Sequence, residues 1–238
     1  MELSIALALA AGLFLLGQWL SQRASRRHRQ ALGQLQSATL LRTLELLQTL
    51  QKHRGLGAQQ DIVSVSQRNA LARQLDQLWL NWPGPSLQLA PLQQDWPQLR
   101  RNPADFEAHS RMIEALLTVI AQLEERLSRH AVPVRHDLGP ALRHLEDLAR
   151  LRGLAMRAAN YRRCPEGLHM QIRLLCQHLD DPAHPEPLHS LLQRLQRELI
   201  DATHVGLTPN DYFALLTPLI DARLADLRHA LERRIAPT

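Results

Sequence analysis

Two arginines stand in matched surroundings, within Leu50-Gln51-Lys52-His53-Arg54-Gly55-Leu56 and Leu148-Ala149-Arg150-Leu151-Arg152-Gly153-Leu154. Leucines precede Arg54 at 50, 47, 44 and 40, and precede Arg152 at 148, 145, 142 and 138. Those shared spacings put four leucines and the arginine on one helical face. A guanidinium in line with a core-facing stripe is costly unless it is paired, so an anionic group is expected beside each one. An internal carboxylate such as Glu45, Asp61 or Glu114 could serve, making a structural ion pair. A small planar oxyanion could also serve, because its two oxygens match the guanidinium fork, whereas an ammonium is only a point charge. Each arginine is followed by glycine, which is about 1 kcal/mol less favourable than alanine in a helix. A break, or a close helix–helix approach at that level, would offset the cost. Gly55 and Gly153, close-packing positions in the first instance, complete the candidate ligand-binding set with Arg54 and Arg152.

Other chemistry is thinner. The twelve histidines include His178 and His184, which lie near Asp180 and Asp181. These four fall on a proline-rich break without the i, i+4 spacing of a helical metal site, so no metal is expected. Glu124, Glu125, Glu146 and Asp147 read as exposed helix faces, and nothing pairs them as acid and base. There is no phosphate-cradling glycine loop and no activated nucleophile. The chain is expected to be no enzyme and to need no cofactor. Cys164 and Cys176 form no CxxC motif and read as reduced thiols.

The formal net charge of +5 rests almost wholly on arginine, Lys52 being the only lysine. The arginines are scattered through every helical stretch and no stacking aromatic series accompanies them, so nucleic acid is not the expected partner. With 238 residues, 45% of them hydrophobic, the chain can bury a sizeable core. Leucine, glutamine, alanine and arginine dominate, no alternating strand pattern appears, and the fold class is all-α.

Placing the arginines requires the elements around them. Leu3 to Leu20 is apolar except for Ser4 and Gln18 and is long enough for one membrane helix. It has no basic start and no clear small-x-small cleavage site, so residues 1–21 are expected to stay as an anchor. Arg23, Arg26, Arg27 and Arg29 follow it and place the remainder, residues 22–238, on the cytoplasmic side of the inner membrane as a single-pass protein. A helix from about Gln30 towards Val65 carries Arg54, and a second runs from about Gln67 to Asn81. Trp82 to Pro97 reads as the longest irregular stretch. Further helices are expected from Pro103 to about His130, from Asp137 to about Tyr161, from Pro165 to about Leu179, from Pro187 to about Val205, and from Pro209 to about Arg234, the last bent or interrupted at Pro218. That makes about seven helices after the anchor. The 98-residue offset between Arg54 and Arg152 suggests a double helical bundle of two pseudo-repeated halves, with the two arginine helices adjacent.

At the level of Leu-Gln-x-x-Arg-Gly-Leu, the first copy resembles the nitrate- and nitrite-sensing domain called the NIT domain, over roughly Gln30 to Ala230. The resemblance implies an all-helical double bundle that holds nitrate, nitrite or a similar small anion between two helices, with Arg54 matching the arginine of the family's first-helix motif. Arg152 takes the partner position by the internal repeat. His53 stands where the family usually has glutamate, and Leu151 precedes the second arginine. Two facing arginines repel, and an anion between them would draw their helices together. A membrane-anchored sensor of this kind, with no attached output module, would act on a protein effector in trans or as a homodimer. The competing expectation is a helical scaffold that binds a protein partner and no small ligand.

Overall fold

The computed structural model describes residues 2–129, 138–161, 163–180 and 186–235, and of these the side chains of residues 2–11, 13, 234 and 235 lie outside the description. Eight helices account for most of the described residues, with no strand among them: α1 (Glu2–Leu56), α2 (Ile62–Leu80), α3 (Trp96–Arg101), α4 (Phe106–Ser128), α5 (Leu138–Ala158), α6 (Glu166–Leu179), α7 (Glu186–Leu195) and α8 (Pro209–Ile235).

The leucine stripes decide the packing. Leu40, Leu44, Leu47 and Leu50 of α1 and Leu138, Leu142, Leu145 and Leu148 of α5 are all buried. Within the first four helices, α1 packs on α2 and α4; within the last four, α5 packs on α6 and α8. The arginine helices α1 and α5 also lie against each other, and α4·α5 and α1·α8 contacts close an inner group of four helices. The 98-residue sequence repeat is therefore a repeat of helix arrangement, α1 to α4 followed by α5 to α8.

Helix starts follow local side-chain chemistry. Asp61 caps α2 by accepting from the Ser64 N–H at 2.9 Å, and Asp105 caps α4 by accepting from the Ala108 N–H at 2.9 Å. Hence α4 begins at Phe106 and not at Pro103. Thr208 and Asp211 satisfy each other's backbone N–H groups at 3.2 and 2.8 Å, a reciprocal cap that starts α8.

Three further expectations are corrected. The first arginine helix stops at Leu56 and does not run towards Val65: the chain turns at Gly57, against which the Pro103 carbonyl packs too closely to admit a side chain. Arg68 secures that end by donating Nη1 to the carbonyls of Leu56, Gly57 and Gln59 at 3.1, 3.3 and 2.8 Å. The stretch from Trp82 to Pro97 is no loose linker: it holds two short 3-10 turns and the start of α3, and buries Trp82, Leu87, Leu89, Leu92 and Trp96 in the core. The helix expected to reach Val205 is α7 plus a π-helical turn at Gln196–Ile200, and Pro218 sits inside α8.

α1 has 55 residues and is about 80 Å long, and among the residues whose side chains are described its contribution to the core begins near Leu32. Among the described residues no helix is long and apolar enough to cross a membrane. Most of the stretch expected to do so, Leu3 to Leu20, lies outside the residues whose side chains are described. Its described part carries Phe14, Leu15, Leu16, Trp19 and Leu20, each half or more exposed. The Arg23 guanidinium lies 5.0 Å from the Trp19 ring centre.

Candidate functional site

Both sequence-selected arginines are buried, Arg54 at 2% exposure and Arg152 at 0%. Their settings share one plan. Arg54 on α1 lies over the Phe106 ring of α4 at 4.9 Å and donates to the Ser110 hydroxyl at 3.1 Å. Arg152 on α5 lies over the Phe213 ring of α8 at 5.0 Å and donates to the Thr217 hydroxyl at 3.0 Å. Each phenylalanine precedes its hydroxyl residue by one helical turn, so ring and hydroxyl share a face. The two halves of the chain thus build the same cradle twice.

The anionic partners differ. Arg54 makes a bidentate pair with Glu146 of α5, at 2.6 and 3.1 Å, and Gln51 donates to the same carboxylate at 3.0 Å. Arg152 donates Nη2 to the Gln51 carbonyl at 2.9 Å and has no carboxylate within ion-pair distance among the described residues. The position equivalent to Glu146, 98 residues earlier, is Gln48, an uncharged side chain that donates to Asp221 at 2.9 Å. Asp221 is itself paired with Lys52 at 3.0 Å. The centre therefore holds two buried guanidiniums and one buried carboxylate, with Nε of both arginines and Oε1 of Gln51 left without partners. Burial, and next the positive charge of Arg54, lower the Arg152 guanidinium from its ordinary value to about 10, with Asp221 and Glu146 opposing. It stays charged at neutral pH.

The glycines sit where the helices come close. An added Cβ at Gly55 would lie 3.6 Å from Arg152 Nε and from Met156 Sδ, and one at Gly153 would lie 2.7 Å from the Phe106 ring. Neither glycine breaks its helix. Close approach is their role: Gly55 admits the Arg152 side chain between α1 and α5, and Gly153 admits the ring beneath Arg54.

Glu146 was expected on an exposed face and is instead 4% exposed. It also displaces Glu45, Asp61 and Glu114 as the internal partner of Arg54. Its residue type misled, because a carboxylate on a leucine-striped helix reads as solvated until the arginine opposite is known. The hydroxyls and rings left a fainter trace, Phe106-x-x-x-Ser110 and Phe213-x-x-x-Thr217, which matches at the same one-turn spacing.

His53, beside Arg54, is also buried. Its Nδ1 lies 2.8 Å from Nε2 of His109, whose Nδ1 lies 2.6 Å from the Asp105 carbonyl. A carbonyl only accepts, so His109 carries its proton on Nδ1 and accepts at Nε2, and His53 donates from Nδ1. Burial lowers both imidazoles, His53 to about 3 with His109 and Arg68 adding to the shift. Both are neutral at pH 7. Of the histidine and aspartate group weighed as metal ligands, His178 lies 3.1 Å from Asp147 and Asp180 lies 3.7 Å from His189, while Asp181 and His184 lie outside the described residues. Cys164 and Cys176 are free thiols, Cys176 pushed up to about 12 by burial. No protein-family model, curated protein or solved structure matches this chain.

Proposed function

We propose that the chain is a membrane-anchored sensor whose buried arginine centre binds a small oxyanion such as nitrate or nitrite, in line with its resemblance to the NIT family. One observation carries this reading: Arg152 is a fully buried cation with a free Nε and, among the described residues, no carboxylate partner, since its half of the repeat has Gln48 where the other half has Glu146. A planar monoanion on Nε and Nη2 would supply the missing charge and displace the Gln51 carbonyl. Both arginines are sealed from solvent, so the anion reaches Arg152 only if α1 and α5 part near Gly55. Binding is then coupled to helix packing, which is the step a sensor needs. The exposed apolar side chains from Phe14 to Leu20, followed by Arg23, Arg26, Arg27 and Arg29, support an anchor with the bundle on the cytoplasmic side. The output passes to a protein effector or a second copy of the chain.

The bidentate Arg54–Glu146 pair favours a second reading, a helical scaffold without a small ligand, since that arginine is already satisfied. Thermal unfolding at constant ionic strength separates the two. A saturating anion adds about 2.7 kcal/mol at a hundredfold excess over Kd, a rise of several degrees. The sensor requires such a rise with nitrate or nitrite over chloride, lost in Arg152→Met. No rise with nitrate, nitrite or another small oxyanion that Arg152→Met abolishes leaves the scaffold.

A further inference from the structure

A second concentration of positive charge lies away from the buried centre, where α1, α2, α3 and the turn at Pro103 meet. There a cleft of about 410 Å³ is lined by Arg68 and Arg73 of α2, Arg100 and Arg101 of α3, and His53 of α1, with no carboxylate in its wall. Arg68 is held in place by the carbonyls at the end of α1, and Arg101 by the Pro97 carbonyl at 3.1 Å. Arg100 pairs with Asp76 at 2.9 Å, while Arg73 has no partner among the described residues. Most of this charge is therefore unmatched.

His53 adds a requirement that arginines alone do not. It is 1% exposed and lines the cleft, and its Nδ1 proton is committed to His109, which leaves Nε2 as an acceptor with no hydrogen bond among the described residues. A ligand that satisfies every group must offer anionic oxygens to the arginines and one O–H to Nε2. Nitrate and sulfate carry no proton near neutral pH. Inorganic phosphate does, since both of its forms near neutral pH keep a P–O–H, and a phosphomonoester does in its monoanion, below a second ionisation near pH 6.

We propose that this cleft binds a phosphate group, as inorganic phosphate or as the phosphomonoester of a small soluble molecule, the arginines taking its charged oxygens and His53 Nε2 accepting from P–O–H. The headgroups of the membrane proposed for the N-terminal stretch are out of reach, since α1 is continuous and His53 stands about 50 Å along it from Leu20. The site is independent of the Arg54–Arg152 centre and selects against nitrate.

The test is calorimetric titration of the full chain in neutral detergent, at fixed ionic strength, with inorganic phosphate, phenyl phosphate, sulfate and nitrate. Phosphate or phenyl phosphate binds, sulfate and nitrate bind at least about tenfold more weakly, and whichever of the first two binds tighter identifies the free ion or the ester. Arg73→Ala and Arg101→Ala alter exposed side chains, so the melting temperature holds while phosphate affinity falls about tenfold. Arg152→Met leaves phosphate binding unchanged. Equal affinity for sulfate and phosphate, no phosphate binding at millimolar concentration, or binding indifferent to Arg73 and Arg101 each overturns the proposal. A nitrate response lost in Arg152→Met but kept in Arg73→Ala belongs to the buried centre and leaves this result separate.

Discussion

Removing the Arg54 guanidinium strands the Glu146 carboxylate in the core, whereas removing that of Arg152 strands no charge. Arg54→Met is therefore expected to cost about 3–5 kcal/mol, the usual penalty for breaking a buried ion pair from one side. Arg152→Met should fall within about 1 kcal/mol of the parent, because losing its bonds to Gln51 and Thr217 is offset by removing a buried, uncompensated cation. Urea unfolding of the two variants measures the difference, and equal losses would mean that the charge of Arg152 is matched after all. The histidine relay sets an acid limit. His53 and His109 are neutral in the fold with lowered pKa values, while in the unfolded chain they gain protons below about 6.5. The contribution of His53 is fully present above pH 6.5 and is lost as pH falls towards 3, the window in which the unfolded state binds more protons, and that of His109 is lost in the same direction. Stability should drop by up to about 1.4 kcal/mol per pH unit through the window of His53. Urea titrations between pH 7 and 4.5 should show a shallower slope in His53→Asn.

At the scale of the element, the two glycines separate packing from propensity. Alanine at Gly55 meets Arg152 and Met156 at ordinary van der Waals distance, so the helix gains up to about 1 kcal/mol. Alanine at Gly153 drives the Phe106 ring away from Arg54 and should cost about 1–3 kcal/mol by overpacking, despite the same gain in propensity. Melting temperatures of the two single variants test this, and a stabilising Gly153→Ala would show that Phe106 moves freely. The same logic explains the ends of the elements. Asp61, Asp105 and Thr208 cap helices through local bonds, whereas the end of α1 depends on Arg68 and Pro103, groups contributed by α2 and the turn before α4. A local cap is readable in sequence; an end made by a distant residue is not.

For the whole molecule, the stretch of α1 from residue 14 to residue 31 adds length without adding core, since among the described residues the buried cluster and the residues packed on it begin at Leu32. A chain starting at residue 31 is expected to keep the melting temperature of the bundle within a few degrees and to lose association with lipid vesicles. Flotation assays and thermal unfolding on the same preparation check both halves of that statement. A large fall in melting temperature would show that the N-terminal stretch packs on the bundle.

The sequence by itself determined the helical class, the two leucine stripes, the burial of Arg54 and Arg152, and the relation between the halves, because a 3.6-residue period is a local property that each stripe declares on its own. Only the tertiary structure decided which charges meet. Glu146 reads as solvated until α5 is laid against α1, and the place of Gln48 opposite it in the repeat matters only once the two arginine helices are packed together. The resulting difference, one arginine paired and its counterpart left with a free Nε, comes from residues on different helices brought to one level, and no window along the chain contains it.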